Sequence, residues 1–319
     1  MTNKKYLYVK GCAGLGNRLV TVYSALQYCK KNNRSIVIDW TDGQFDKKGI
    51  NAFEKCFEMR VANETKIEAI PNWEQLTHSS VLFKKNKGEG VYDLYLDTQS
   101  TLWKKFPMKL FFLESSRKLR RRWQPIKNGS FSNSLNFGSD LKDNRTEDVL
   151  YYVDSLPYLD YSELPNSIKL KSAVAEKINE FARQNNISKA VGVHVRNTDK
   201  RPTKEVIRVI DHIKAMHSTA SVFLSTDSKE AEDLFAKNIS NLILFPKQKP
   251  QLNGEGMHQW ALYNNKDDQK YMLYEECVIE MYLLSKCNYL YYQGNSTFSS
   301  ISKVHHNNKN NCYNWLKLQ

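Results

Sequence analysis

Val191-Gly-Val-His-Val-Arg-Asn-Thr-Asp-Lys200-Arg-Pro-Thr-Lys-Glu205 opens as a strand and ends in a charged turn. Its first residues continue Ala190 as a short apolar run, the pattern of a strand buried on both faces of a parallel sheet. His194, Arg196, Asn197, Thr198, Asp199 and Lys200 then crowd together. Open α/β sheets bind ligands just outside the carboxyl ends of their strands, so charge there means more than charge on a helix face. His194 and Arg196 are two apart and share one face of a strand. Arg196 brings a planar, permanently charged fork that matches phosphate oxygens. Asp199 can hold Arg196 or Lys200 in place. The plainer alternative is a solvated ion-pair cluster at a strand end.

The same alternation continues downstream. Helix Lys204–Met216 leads to strand Ser221–Leu224, helix Ser228–Lys237, strand Leu242–Phe245, helix Lys270–Ser285 and strand Tyr289–Tyr292. Strands separated by helices of this length imply parallel crossovers and a Rossmann-like domain. Asp227 closes a Ser-Thr-Asp triplet after one strand. Ser296, Thr297, Phe298, Ser299 and Ser300 follow the last strand. Hydroxyls and backbone N–H groups at such a turn can cradle a diphosphate; ordinary helix N-capping is the competing explanation.

Upstream, Ile168, Leu170, Val174, Ile178 and Phe181 recur at helical spacing, which predicts a helix from Ser167 to about Gln184. Pro165 marks the expected boundary between domains 1–165 and 166–319. In the first domain, Tyr6–Val9 reads as a strand, Gly11-Cys-Ala-Gly14-Leu-Gly16-Asn17-Arg18 as a turn, and Leu19–Lys31 as a helix. This order can aim backbone N–H groups at a phosphate, although the glycine spacing is not the dinucleotide fingerprint. A turn that merely packs a helix on a strand fits equally well. Ser35–Trp40 is the next strand, with Asp39 and Trp40 at its carboxyl end, where an ordinary strand end is the plain reading.

The stretch His194–Lys200 resembles the His-Val-Arg-Arg-Thr-Asp-Lys motif of α1,6-fucosyltransferases and their nodulation-type relatives, with Asn197 where many relatives carry a second Arg. Thr297-Phe-Ser-Ser300 resembles the family's late motif, and the Thr-Asp pair ending at Asp227 is also similar. The resemblance spans roughly residues 190–302, and more loosely Gly11–Trp40, whose Asp-Trp strand end is similar to one in the nodulation-type enzymes and implies Asp39 for an acceptor sugar hydroxyl and Trp40 for a sugar face. It implies a GT-B fold, two Rossmann-like domains facing across a cleft, with an acceptor-side first domain and a donor-binding second one. It implies inverting, metal-independent transfer of L-fucose from GDP-fucose to a sugar hydroxyl, with the donor as substrate and no further cofactor.

Residue by residue, the resemblance assigns donor contacts to His194, Arg196, Asp227, Ser296, Thr297, Phe298, Ser299 and Ser300. It adds the first-domain loop of Gly14, Gly16, Asn17 and Arg18. Glu280 matches an acid that accepts from guanine, with Glu276 as the alternative one turn away. Arg196 neutralises the leaving diphosphate, and Glu205 is the candidate base with Lys200 as neighbour. Mammalian-type enzymes place a Glu four residues after the motif Lys; here Lys204 stands there and the Glu comes one later. Asp199 and Asp39 therefore remain alternative bases. Asp267-Asp268 has no third ligand in view and reads as a solvated loop rather than a metal site.

Composition bounds the rest. A chain of 319 residues, 41% hydrophobic and 12% aromatic, suits a folded two-domain protein. No run of about 18 apolar residues suggests a membrane span, and the start lacks a signal-peptide core. Six scattered cysteines form no Cys-x-x-Cys pair, which favours reduced thiols. These features lead to the expectation of a cytoplasmic protein, with the inner membrane face open to it as a peripheral site. A net charge of +13 favours acidic partners without choosing among them. The densest patch, Arg117–Arg122, can be a solvated helix face, an acceptor surface or a contact to anionic lipid. No nucleic-acid motif stands beside it, which argues against nucleic acid as a partner. Asn128–Thr146 reads as a long polar loop. The expected acceptor is a glycan or lipid-linked oligosaccharide. Two alternatives stay open: another nucleotide-sugar donor on the same fold, and a basic polyanion-binding protein whose binding falls steeply with salt.

Overall fold

Short apolar runs followed by helical periodicity become two parallel sheets in the computed structural model. It describes residues 5–11, 13–59, 94–97, 149–153, 168–197, 203–247 and 267–318. The chain divides into two compact units: Met1–Asp42 with Phe57–Lys169, and Gly43–Cys56 with Leu170–Gln319. Pro165, the Arg117–Arg122 patch and the Asn128–Thr146 stretch lie outside the described residues.

In the first unit, β1 (Tyr6–Lys10) feeds α1 (Leu15–Asn32), which returns to β2 (Ser35–Asp39). All five residues of β2 are buried, as its unbroken apolar run requires in a parallel sheet. Helix α1 stops at Asn33, whose left-handed backbone (φ 50°) is the cap conformation Asn tolerates. The chain then passes through α2 (Phe53–Cys56), which belongs to the second unit, and returns to the first with β3 (Phe57–Met59), β4 (Leu94–Asp97) and β5 (Val149–Val153). The unit's sheet has the order β2-β1-β5-β4, all parallel.

At Ile168–Leu170 the chain forms a strand, β6, rather than the first turn of the expected helix. It pairs with β3. Its alternating apolar positions suit a strand as well as a helix, and Lys171 is held extended (φ −62°, ψ 147°) with its N–H on the Cys56 carbonyl at 2.9 Å. The helix, α3, therefore starts at Ser172 and runs to Gln184.

The second unit follows the alternation read from sequence. Its elements are β7 (Val191–Val195), α4 (Thr203–Met216), β8 (Val222–Thr226), α5 (Lys229–Asn238) and β9 (Leu242–Leu244). Then come α6 (Asp267–Lys286), β10 (Tyr289–Tyr292), α7 (Thr297–His305) and β11 (Cys312–Asn314). Asp267 and Asp268 open α6 instead of lying in a loop. The sheet order is β11-β10-β7-β8-β9, every pairing parallel. Val191, Val193 and Val195 pack with Val206, Val209, Ile210, Ile213, Leu224 and Trp315 in one core. Among the described residues Cys29, Cys56, Cys277, Cys287 and Cys312 are free thiols, and burial pushes the Cys277 thiol up to about 12.

From β7 the chain steps outward to β8 and β9, then returns across β7 to β10 and β11. The strand order thus reverses between β7 and β10. Loops leaving the two strands diverge there, and a crevice opens outside their carboxyl ends.

Candidate functional site

Residues from three strand ends meet at that crevice. The β7–β8 register sets His194 opposite Ser225 and Val195 opposite Thr226. After β7, the Asn197 N–H donates to Asp227 Oδ1 at 2.9 Å, and its Nδ2 donates to Ser228 Oγ at 3.1 Å. The carboxamide also faces Glu230 Oε2 at 3.4 Å. His194 is buried and its ring stacks on Phe298 of α7, centroids 4.9 Å apart. These contacts bring His194, Arg196, Asp227 and the Ser296–Ser300 turn into one neighbourhood, as the sequence reading grouped them.

Gln293 makes the join between β7 and β10. Its side-chain Oε1 accepts from the Arg196 N–H at 2.7 Å and its Nε2 donates to the Arg196 carbonyl at 3.3 Å. The amide thus acts as a short extra strand and fixes the backbone from which the Arg196 side chain leaves. Gln293 is itself held by Ser299: the Gln293 N–H donates to Ser299 Oγ at 3.1 Å, and that hydroxyl is placed 3.2 Å from the Gln293 carbonyl. From below, the Trp315 indole Nε1–H donates to the His194 carbonyl at 2.9 Å. Asn314 Oδ1 accepts from the Gly294 N–H at 3.1 Å. A Cβ on Gly294 would lie 2.2 Å from Asn314 Nδ2, so that turn needs glycine.

Three buried polar atoms here have no hydrogen-bond partner among the described residues: His194 Nδ1, Asn197 Oδ1 and Ser296 Oγ. Buried polar groups are nearly always satisfied, and exceptions gather where a ligand supplies the partner. Ser296 is the N-cap residue of α7, yet its side chain accepts no capping bond. Ordinary capping therefore does not account for that serine. Behind it lie the first backbone N–H groups of α7, which no helix can satisfy internally and which favour anions.

The electrostatics are set by burial. Burial first, and then the charges of Arg196 and Lys247, together lower the His194 pKa to about 3. Glu280 is buried on α6, where a lysine that the sequence did not single out holds it. Both its oxygens accept from Lys247 Nζ at 2.8 Å, and Lys247 also donates to the Thr226 carbonyl at 2.7 Å. Burial pushes the Glu280 carboxyl up, while Lys247 and the Ser225 hydroxyl pull it down.

The fold favours the neutral His194 ring, so the stability this contributes is complete above its ordinary pKa of 6.5 and drains away as pH falls toward 3. Unfolding then takes up one proton at this site, a slope of about 1.4 kcal/mol per pH unit below 6. Denaturant unfolding from pH 7 to 5 is expected to show a slope shallower by about one proton in His194→Gln than in the parent chain. Parallel slopes would mean the ring is protonated in the folded state.

In the first unit the glycine turn is built around Arg18, which is fully buried. Its Nε donates to the Ala13 carbonyl at 3.0 Å and its two terminal nitrogens fork onto Asp42 at 3.1 and 2.5 Å. Its guanidinium lies 5.5 Å from the Trp40 ring centroid. Gly11 is needed there, because a Cβ would sit 2.2 Å from Arg18 Nη1. Ala13 takes a left-handed φ of 62°, a strained conformation for a residue with a Cβ. Gly14 caps α1, accepting the Arg18 N–H at 3.1 Å, Gly16 is buried beside it, and Asn17 accepts from Thr21 Oγ1 at 3.0 Å. Trp40 is 1% exposed and packs edge-on against Phe57, which leaves no ring face for a sugar. Asp39 Oδ1 accepts from the Thr41 N–H and hydroxyl at 2.9 and 2.6 Å.

Glu205 lies half-buried in the first turn of α4. Asp199 and Lys200 fall outside the described residues. Sequence reasoning gave no role to Gln293, Lys247, Asn314 or Trp315. A lone Lys after a strand, or an amide whose partner is a backbone two strands away, leaves no local pattern to find. Among the described residues no three His, Cys, Asp or Glu side chains gather as a metal site would require.

No protein-family model matches the sequence, and no curated protein sequence does. Solved structures do match. A NodZ α1,6-fucosyltransferase soaked with GDP-fucose is 18% identical at a TM-score of 0.60, over 94% of this chain and 92% of that one. A second structure of NodZ, from Bradyrhizobium, is 17% identical at a TM-score of 0.61, over 95% and 92%. FUT1 of Arabidopsis thaliana, in complex with GDP, is 13% identical at a TM-score of 0.50, over 95% and 68%. The chain has the α/β GT-B fold of these fucosyltransferases.

Proposed function

We propose that the chain is an inverting fucosyltransferase that moves L-fucose from GDP-fucose to a hydroxyl of a glycan or lipid-linked oligosaccharide. The unit of residues 170–319 is the donor side and the first unit the acceptor side. The observation that carries the reading is Ser296: a buried N-cap hydroxyl without a capping bond, at the α7 N-terminus in the β7–β10 crevice. The likeness to fucosyltransferases with GDP or GDP-fucose in their structures supports it.

The chemistry follows from the charges. Arg196, the α7 N–H groups and Ser296 take the negative charge that grows on the diphosphate as the bond from fucose C1 to the leaving oxygen breaks. A carboxylate takes the acceptor's proton as its oxygen attacks C1 from the opposite face, which inverts the anomeric centre. Glu205, in the first turn of α4, is the candidate base; Asp199 beside Lys200, and Asp39, are the alternatives. His194 stacks on Phe298 to wall the site. Asp227 fixes the turn through the Asn197 N–H. Arginine supplies the cationic stabilisation that many transferases draw from a divalent ion.

A second reading keeps the fold and changes the donor. Asn197 supports it, because it brings no charge and its amide faces Ser228 and Glu230. Thermal unfolding with GDP, UDP, CMP and ADP, each at about 1 mM, separates the two. A ligand at about 100 times its Kd stabilises by about 2.7 kcal/mol, so GDP alone is expected to raise Tm by several degrees. A shift with another nucleotide would replace fucose as the donor sugar. No shift with any would remove the donor site and leave polyanion binding, read by its salt dependence. Under the main reading the protein works in the cytoplasm, where its positive charge suits peripheral contact with anionic lipid.

A further inference from the structure

Arg196 lies past the end of both backbone ladders that flank its strand. Pairing with β8 runs as far as Val195 opposite Thr226, and pairing with β10 as far as Val193 opposite Tyr291. Side chains take over from there. The Gln293 amide holds the Arg196 N–H and carbonyl from the β10 side. From the β8 side the hold falls on Asn197, which is 7% exposed. Its N–H donates to Asp227 Oδ1, and its Nδ2 donates to Ser228 Oγ at 3.1 Å and faces Glu230 Oε2 at 3.4 Å. Asp227, Ser228 and Glu230 all belong to the turn that starts α5. That turn is firm. Ser228 Oγ accepts the Ala231 N–H at 3.3 Å, and the Ser228 N–H donates to Thr226 Oγ1 at 3.2 Å. Ala231 and Phe235 of the helix are buried in the same core as Val195.

We propose that Asn197 is a positioning residue: by tying the chain to the start of α5, it holds the Arg196 side chain in the direction that meets a diphosphate. The inference rests on the reading of the crevice as a nucleotide-diphosphate site. The physical reason lies in the peptide unit between the two residues. That unit is rigid and planar, so Arg196 keeps only two soft dihedrals, and the planes on either side set both. Gln293 holds the plane at its oxygen and Asp227 at its N–H. The Asn197 amide adds an anchor one residue further on, where the chain leaves the sheet. Without that anchor the chain past Arg196 can swing, and the guanidinium spends part of its time aimed elsewhere. Apparent affinity then falls in proportion to the fraction that stays aimed. Asn197 acts only through Arg196, so its loss matters only while there is a guanidinium to aim.

The test is calorimetric titration of the full chain with GDP and with inorganic pyrophosphate, at pH 7.5, for the parent, Asn197→Ala, Arg196→Ala and the double variant. Asn197→Ala is expected to weaken both ligands about tenfold, the worth of the hydrogen bonds its amide donates. In the Arg196→Ala background the same change is expected to cost less than about twofold, the mark of two residues acting as one. A carboxamide that touched the ligand itself, or only propped the fold, would cost the same in both backgrounds, and that outcome overturns the inference. Should Asn197→Ala fail to fold, Asn197→Leu, which keeps the volume but donates nothing, serves in its place. A folded variant that binds both ligands as the parent does also overturns the inference, and leaves the diphosphate reading standing. A parent chain that binds neither GDP nor pyrophosphate overturns that reading, and the inference with it.

Discussion

Arg196→Ala is expected to lower kcat/KM for the donor by about a thousandfold, or about 4 kcal/mol of transition-state stabilisation. The reasoning starts from the backbone. Gln293 grips the Arg196 N–H and carbonyl, so the strand end keeps its place when the side chain is removed. On the proposed reading, what is lost is a positive charge beside the donor's diphosphate, whose own negative charge grows as the bond to fucose C1 breaks, so kcat falls more than KM rises. Arg196→Lys is expected to recover only part, since an ammonium lacks the planar fork. Steady-state kinetics on both variants, with circular dichroism to verify folding, make the check. Unchanged kcat/KM in Arg196→Ala would move the anion contact to another residue.

The second large effect concerns stability. Trp315→Ala is expected to cost about 3–5 kcal/mol, the range for deleting a large buried aromatic side chain. Against a typical total of about 5–15 kcal/mol, that leaves the chain marginal or unfolded. Trp315 is 1% exposed and packs in the core beneath β7. It also spends its indole N–H on the His194 carbonyl. Trp315→Phe separates the two contributions: it keeps most of the ring and strands one buried carbonyl, for about 1–3 kcal/mol. Urea unfolding of both variants reads the difference. A loss below 1 kcal/mol in Trp315→Ala would show that the C-terminal segment is not part of the core.

The elements legible in the sequence are those whose signal is local. The apolar runs at Tyr6, Ser35, Val191 and Ser221 became strands within a residue or two of expectation, because a strand buried on both faces has no other composition open to it. The helices around them were equally plain. The candidate site was legible to the extent that strand ends carry motifs: His194 to Asn197, Asp227 and the Ser296 turn do meet. What stayed hidden is set by distant pairing. Ile168–Leu170 is a strand because β3 lies beside it. Cys312–Asn314 has a polar, Asn-rich surround and becomes a strand only by adding to β10. The Lys247 that donates to both Glu280 oxygens lies 33 residues away, with no local pattern to announce it.

The segment Gly43–Cys56 belongs to the second unit although the first unit flanks it in sequence. Its Phe45 stacks on Tyr274 of α6 at 4.9 Å, and Lys270 of α6 donates to the Gly43 carbonyl at 3.1 Å. On the ribosome this order becomes a delay. Phe45, Ala52 and Phe53 are made early and buried in the finished protein, but α6 ends only at Lys286. At about 5–20 residues per second, the nascent arm waits roughly 10–50 s for its cover. Throughout that interval its apolar side chains are exposed, which makes the half-made chain a natural client for chaperones.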